Sequence, residues 1–286
     1  MTIRDPGPGA AIALANAHHI GCRVVATFID QQVRPRIDAV AASNPDLGYL
    51  SGILLRVVEW LRTTEKLNTP GDFQAAAAGA RALFEISVDL TLLEFDKAHH
   101  TFDMVRAWEA SAQQRHGMKL ARYYEGRTDP ISDGVAAKIA SAKLCEPAAK
   151  MDRAKRWPHK KGKHPDRWTG RDLGRDAIEA ETLAARGFAE FYANHYPRIC
   201  LYVHGSGLAR VAGLSAELFP VLSTIALETI GRFAIVAAEM TLRLAGLWDT
   251  AAERAIEDLM KTRKVAVDTV YAEHPARKGP PDGPAK

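Results

Sequence analysis

Phe219-Pro-Val-Leu-Ser-Thr-Ile-Ala-Leu-Glu-Thr-Ile-Gly-Arg-Phe-Ala-Ile-Val-Ala-Ala-Glu-Met-Thr-Leu-Arg-Leu-Ala-Gly-Leu247 is apolar on nearly every side. At 100° per residue its charges, Glu228, Arg232, Glu239 and Arg243, fall in one stripe about 60° wide. That is a helical pattern, and Pro220 suits the first turn of such a helix. A membrane span needs about 18 or more apolar residues without charges, and four charges interrupt this run. The stretch therefore reads as the core helix of an α-helical bundle.

The same pattern extends outward. Helices are predicted over about Gly9–Ala42 with a bend at Pro35, Asp46–Lys66, Asp72–Lys97, Thr101–Tyr124 and Ser132–Cys145. They resume over Arg171–Arg186 and Ala189–Tyr196. Pro197 starts or kinks the next, which ends at Gly205-Ser-Gly207. Thr250-Ala-Ala-Glu253 fits a capping box opening the last helix. No alternating β-branched run bounded by hairpin turns occurs, so the expected class is all-α, a multi-helix bundle. Residues 1–274 read as one helical domain with an irregular basic insertion at 146–170. Residues 275–286, rich in Pro, Gly and Lys, read as a disordered tail.

Composition narrows the function classes. Of 286 residues, 47% are hydrophobic, enough for a sizeable core, and the net charge of +4 is only mildly basic. The three cysteines, Cys22, Cys145 and Cys200, have neither disulfide nor zinc spacing. The N-terminus lacks the basic-then-apolar layout of a signal peptide, so the cytoplasm is the expected compartment, with no membrane partner. There is no His-Glu-x-x-His, no phosphate-binding Gly-x-x-x-x-Gly-Lys and no Gly-x-Ser-x-Gly elbow. Zinc proteases, ATPases and α/β-hydrolases are disfavoured.

Three features carry chemistry. The first is a polar stripe on the third helix, where Arg81, Glu85, Asp89 and Asp96 share a face about 80° wide. It reads either as a solvated face of ion pairs or as a buried polar seam that includes Tyr196. Its carboxylates have the oxygen ligands a divalent cation wants. Arg81 is placed to neutralise Glu85, however, and no metal or cofactor is expected.

The second feature is the basic run Arg153–Arg171, eight lysines and arginines against Asp166 alone. Arg156, Lys160, Lys161, Lys163 and Arg167 are its candidate contacts to nucleic-acid phosphates, with Trp157 and Trp168 available for base stacking. The competing reading is a solvated loop whose tryptophans dock onto the bundle.

The third feature is Tyr196-Pro-Arg-Ile-Cys-Leu-Tyr-Val-His-Gly-Ser206. Arg198 is a candidate phosphate clamp and His204 a candidate proton carrier for RNA transesterification, which needs no metal because RNA supplies its own nucleophile. On one helix, six residues separate the two by about 9 Å and 120°, so convergence needs a bend, the reach of Arg or a second subunit. A helix C-cap role for His204 is the structural alternative.

Together, Arg81-Ala-Leu-Phe-Glu85, Arg167-Trp-Thr-Gly170 and Tyr196 through Val203-His-Gly-Ser206 resemble the ordered motifs of a bacterial helical family of unknown function. Cys200 and Thr169 stand where that family carries serines. The last motif is similar, more distantly, to the Arg-(four to six residues)-His signature of HEPN domains. These are helical bundles, often dimeric, that include metal-independent RNases and non-catalytic members. The resemblance implies an RNA-binding protein, a homo-oligomer, and Arg198 with His204 as the catalytic pair of an endoribonuclease. The alternative it leaves is a non-catalytic helical interaction module.

Overall fold

The computed structural model describes residues 8–67, 73–127, 130–203 and 218–274, and its all-α character agrees with the sequence, with no strand among the described residues. Helix α1 (Pro8–Phe28) passes through a five-residue π turn, Ile29–Val33, into α2 (Arg34–Ala41). This is the form the expected bend takes. Pro35 has no amide hydrogen for the helical ladder, and the wider turn before it, closed by Arg34 N donating to Ile29 O, absorbs the mismatch. Next come α3 (Pro45–Glu65), α4 (Phe73–Phe95), α5 (Phe102–Tyr124) and α6 (Asp133–Arg156). They are followed by α7 (Leu173–Ala184), α8 (Phe188–Asn194), α9 (Tyr196–Val203), α10 (Leu218–Leu244) and α11 (Thr250–Glu273).

The chain groups into two compact units, Met1–Glu94 with Ala180–Lys286, and Phe95–Glu179. In the first, α10 packs against α1 and α3. By length and composition, 10–41 and 220–244 would both pass as membrane spans, but the apolar window of the second is 72% buried inside the protein, as a core helix should be. Its polar stripe is not a solvated face. Glu239 is buried and accepts hydrogen bonds from Arg186 Nη2 at 2.7 Å and Arg243 Nε at 3.1 Å. Phe84, Phe188, Phe191 and Phe233 form an aromatic core, with ring centroids from 4.8 to 6.3 Å apart.

Buried titratable groups give this unit a pH signature. Burial, then the positive Arg263 and His19 nearby, pushes the His18 imidazole down to about 3. The folded protein thus holds His18 neutral, while an unfolded chain protonates it near 6.5. The stabilisation is complete above pH 6.5 and falls by about 1.4 kcal/mol per pH unit below it, down to about pH 3. Urea unfolding at successive pH values should show a slope at least this steep, and His18→Leu should reduce it by about one proton. A wild-type profile flat between pH 6 and 4 would contradict the assignment.

In the second unit, α6 runs back along α5 with Gly117 at the crossing. A methyl there would lie 2.5 Å from the Ala142 Cβ, so only glycine admits this approach. The irregular insertion expected over 146–170 is shorter than its composition suggests. Helix α6 continues through Pro147 to Arg156. Pro147 removes one helical hydrogen bond, but Arg153 ties the last turns down. Its buried guanidinium donates to Gly162 O at 3.0 Å, Gln114 Oε1 at 3.1 Å and Glu146 Oε1 at 3.0 Å. At the other end of the chain, the expected Thr250 cap shifts by one residue. Asp249 is the N-cap of α11, accepting from Ala252 N at 2.7 Å.

Candidate nucleic-acid interface

The basic segment forms a knuckle between α6 and α7. Both tryptophans face inward. Trp157 is 1% and Trp168 4% exposed, and Trp157 Nε1 donates to Trp168 O at 2.8 Å. Gly170 sits at φ +74°, and a Cβ there would lie 2.5 Å from the Trp157 ring, so the turn requires glycine twice over. His159 Nε2 meets Gly170 O at 2.7 Å, and Trp108 Nε1 donates to Pro165 O at 3.2 Å. The rings therefore dock the knuckle and are not presented to stack on bases.

The arginines divide from the lysines. Asp176 is wholly buried, and three groups converge on its carboxylate: Arg167 Nε at 2.8 Å, Thr169 Oγ1 at 2.8 Å and Arg171 Nε at 3.0 Å. Arg167, expected to contact phosphate, instead closes the Trp-Thr-Gly turn onto α7. Arg156, also expected there, is held by both oxygens of Asp152 at 3.0 Å and by Asp103. The physical reason is the same for both: a carboxylate fixed by the fold outcompetes a diffusible anion for the guanidinium. Lys161 and Lys163 are exposed, as is Lys155, while Lys160 is half-buried. None of these four lysines pairs with a carboxylate among the described residues. The outward charge of the knuckle is thus carried by lysine.

The other candidate residues lie in the first unit. Arg198 is exposed in the first turn of α9, directly after Pro197. His204 lies outside the described residues, so the pair has no measured separation. The imidazole beside Arg198 is His195, which the motif reading passed over. Both line a cavity of about 10 Å³, with Phe73, Ile199 and Tyr202. That is room for about one water, not for a nucleotide. Burial first, then Arg198, lowers the His195 pKa below its ordinary value. Its spacing of three residues from Arg198, the same-face spacing of a helix, was the available signal.

Two members of the third-helix stripe, Arg81 and Glu85, come together with Tyr196 as a polar seam. Arg81 Nε donates to Glu85 Oε1 at 2.7 Å, and the Tyr196 hydroxyl donates to the same oxygen at 2.6 Å. The Arg81 guanidinium lies 5.8 Å from the centroid of the Tyr196 ring. Burial, then the Glu85 hydrogen bond, raises the Tyr196 pKa and keeps its proton on. Asp89 is half-buried one turn further along α4. With Glu85 Oε1 bonded by both a guanidinium and a phenol, the seam orients the start of α9.

No protein-family model, curated protein or solved structure matches this chain.

Proposed function

We propose that the chain is an RNA-binding helical protein whose lysine knuckle grips the phosphate backbone. The observation that carries this reading is the sorting of charge: the arginines of the basic run are held by carboxylates, while Lys155 stands exposed at the end of α6 and Lys161 and Lys163 on the turn pinned by two buried tryptophans. The backbone beneath them is fixed, so only side-chain freedom is lost on meeting a phosphate, and each contact releases a counterion. With no ring free to stack, recognition is electrostatic and tolerant of sequence. The preference for RNA rests on the HEPN-like resemblance of the Arg198–His204 segment.

The test is binding of single-stranded RNA across a salt series. The triple change Lys160→Glu, Lys161→Glu and Lys163→Glu should weaken binding at least about tenfold at low salt. It should also flatten the slope of log K against log salt by about 2, given about 0.7 per phosphate contact on single strands. Unchanged affinity and slope in the triple variant would remove this reading.

Cleavage is the sharper form of the proposal, and the exposure of the Arg198 guanidinium in the first turn of α9 favours it, since a planar guanidinium clamps a phosphate. Incubation with RNA in excess chelator should give cleavage that Arg198→Ala and His204→Ala each abolish. RNA bound but intact would leave the non-catalytic interaction module as the function.

A further inference from the structure

We infer that the outer face of α6 is a self-association surface, occupied by α6 of a second copy of this chain in antiparallel register. The surface lies wholly within the Phe95–Glu179 unit. It rests neither on RNA binding nor on the motif that contains Arg198.

Helix α6 is buried on one side only. Its buried residues, Ala142 and Arg153, meet Gly117 and Gln114 of α5. At 100° per residue, the opposite side carries Asp133, Ala137, Ala140, Leu144, Ala148, Met151 and Lys155 in a stripe about 80° wide, centred about 170° from the buried pair. All seven are exposed. Leu144 and Met151, 83% and 75% exposed, are the two most exposed large apolar side chains among the described residues. One such residue on a surface is ordinary, but these two share a continuous apolar seam. Lys138, Lys143 and Lys150 stand about 100–120° off the stripe, so it holds no charge between its two ends.

The pattern names the occupant. Around Leu144, Ala140 and Ala148 lie four residues to either side, Ala137 and Met151 seven, and Asp133 and Lys155 eleven. A two-fold axis beside Leu144 therefore sets the long Met151 on the partner's Ala137 and sets Asp133 against the partner's Lys155, each contact occurring twice. Parallel pairing would oppose like charges and like-sized side chains instead, and would align the two helix dipoles. Neither Asp133 nor Lys155 pairs with an opposite charge among the described residues. The same patch serves both copies, so the contact closes at two chains. A seam about 33 Å long, one helix wide, is at the small end of specific interfaces, so micromolar exchange between monomer and dimer is expected. Lys161 and Lys163 lie beyond the end of α6 and stay available to phosphate.

The experiment is sedimentation equilibrium of the full chain at concentrations up to about 100 µM. The mean mass should rise with concentration from 31.2 kDa toward twice that value. Leu144→Lys and Met151→Lys should each weaken dimerisation at least about tenfold. Both positions are exposed, so the far-UV circular dichroism should not change. Asp133→Lys and Lys155→Asp should each weaken the dimer, and the two together should restore it, because the end pairs are then reversed and still opposite. A wild-type chain that stays monomeric across this range overturns the inference. So does a dimer that Leu144→Lys leaves intact, which would put the contact on another face. A double exchange no tighter than the single variants would overturn the antiparallel register.

Discussion

Asp176→Asn is expected to destabilise the Phe95–Glu179 unit by about 3–5 kcal/mol, the cost of stranding buried charge. Asp176 is wholly buried and holds Arg167, Thr169 and Arg171 at 2.8–3.0 Å. Asparagine keeps the shape but supplies one neutral acceptor in place of two charged ones. Arg167, 14% exposed, then loses the carboxylate that holds its Nε, while Arg171, 30% exposed, is partly relieved by water and by Glu179. Urea unfolding followed by tryptophan fluorescence reads the effect, since Trp157 and Trp168 are both buried beside the turn. Asp172→Asn is the control. Its exposed carboxylate accepts from Arg175 N at 3.0 Å and pairs with Arg175 Nε at 3.4 Å, and because Asn caps a helix about as well as Asp the expected loss is under about 1 kcal/mol. Equal losses in the two variants would show that Asp176 does not close the turn.

The contrast between Asp176 and the basic run it serves shows which features were legible in the sequence. Apolar periodicity is local, and it located α4, α5 and α10 because each helix carries its own stripe. The turn at Trp168-Thr-Gly170 was legible for the same reason. What a charge pairs with is not local. Arg153 reads as part of a basic patch, yet it is buried because Gln114 and Glu146, on two helices, meet it. Arg156 and Arg167 read as phosphate contacts and are occupied by carboxylates. Glu239 could have been a solvated charge, and Arg186, 53 residues away, joins Arg243 in compensating its burial. The basic, irregular composition of 146–170 suggested that α6 stops at Cys145, which the anchoring of Arg153 overrides. At the candidate site, sequence reached Arg81, Glu85 and Tyr196 together because two of them lie one helical turn apart. It missed His195 because the motif pointed the other way, toward His204.

Phe84→Ala should cost about 3–5 kcal/mol, as for a large ring removed from a closed core. Phe84 is fully buried, with Phe191, Phe233 and Tyr196 ring centroids at 4.8, 5.2 and 5.4 Å. These rings come from α8, α10 and the first turn of α9, so none can move into the vacancy without dragging its helix. Phe84→Leu fills most of the volume and should cost clearly less. Phe95→Ala, at a ring 42% exposed near the end of the same helix, should cost about 1 kcal/mol or less. Thermal unfolding ranks the three, and a Phe84→Ala loss no larger than that of Phe95→Ala would refute the closed core. The consequence reaches beyond stability. Tyr196 has its ring against Phe84 and its hydroxyl on Glu85, so the core and the seam fix the same helix start. Arg198 follows two residues later. Any activity that depends on Arg198 should therefore fall in Phe84→Ala at temperatures where the protein is still folded, and Phe84→Leu should restore most of it.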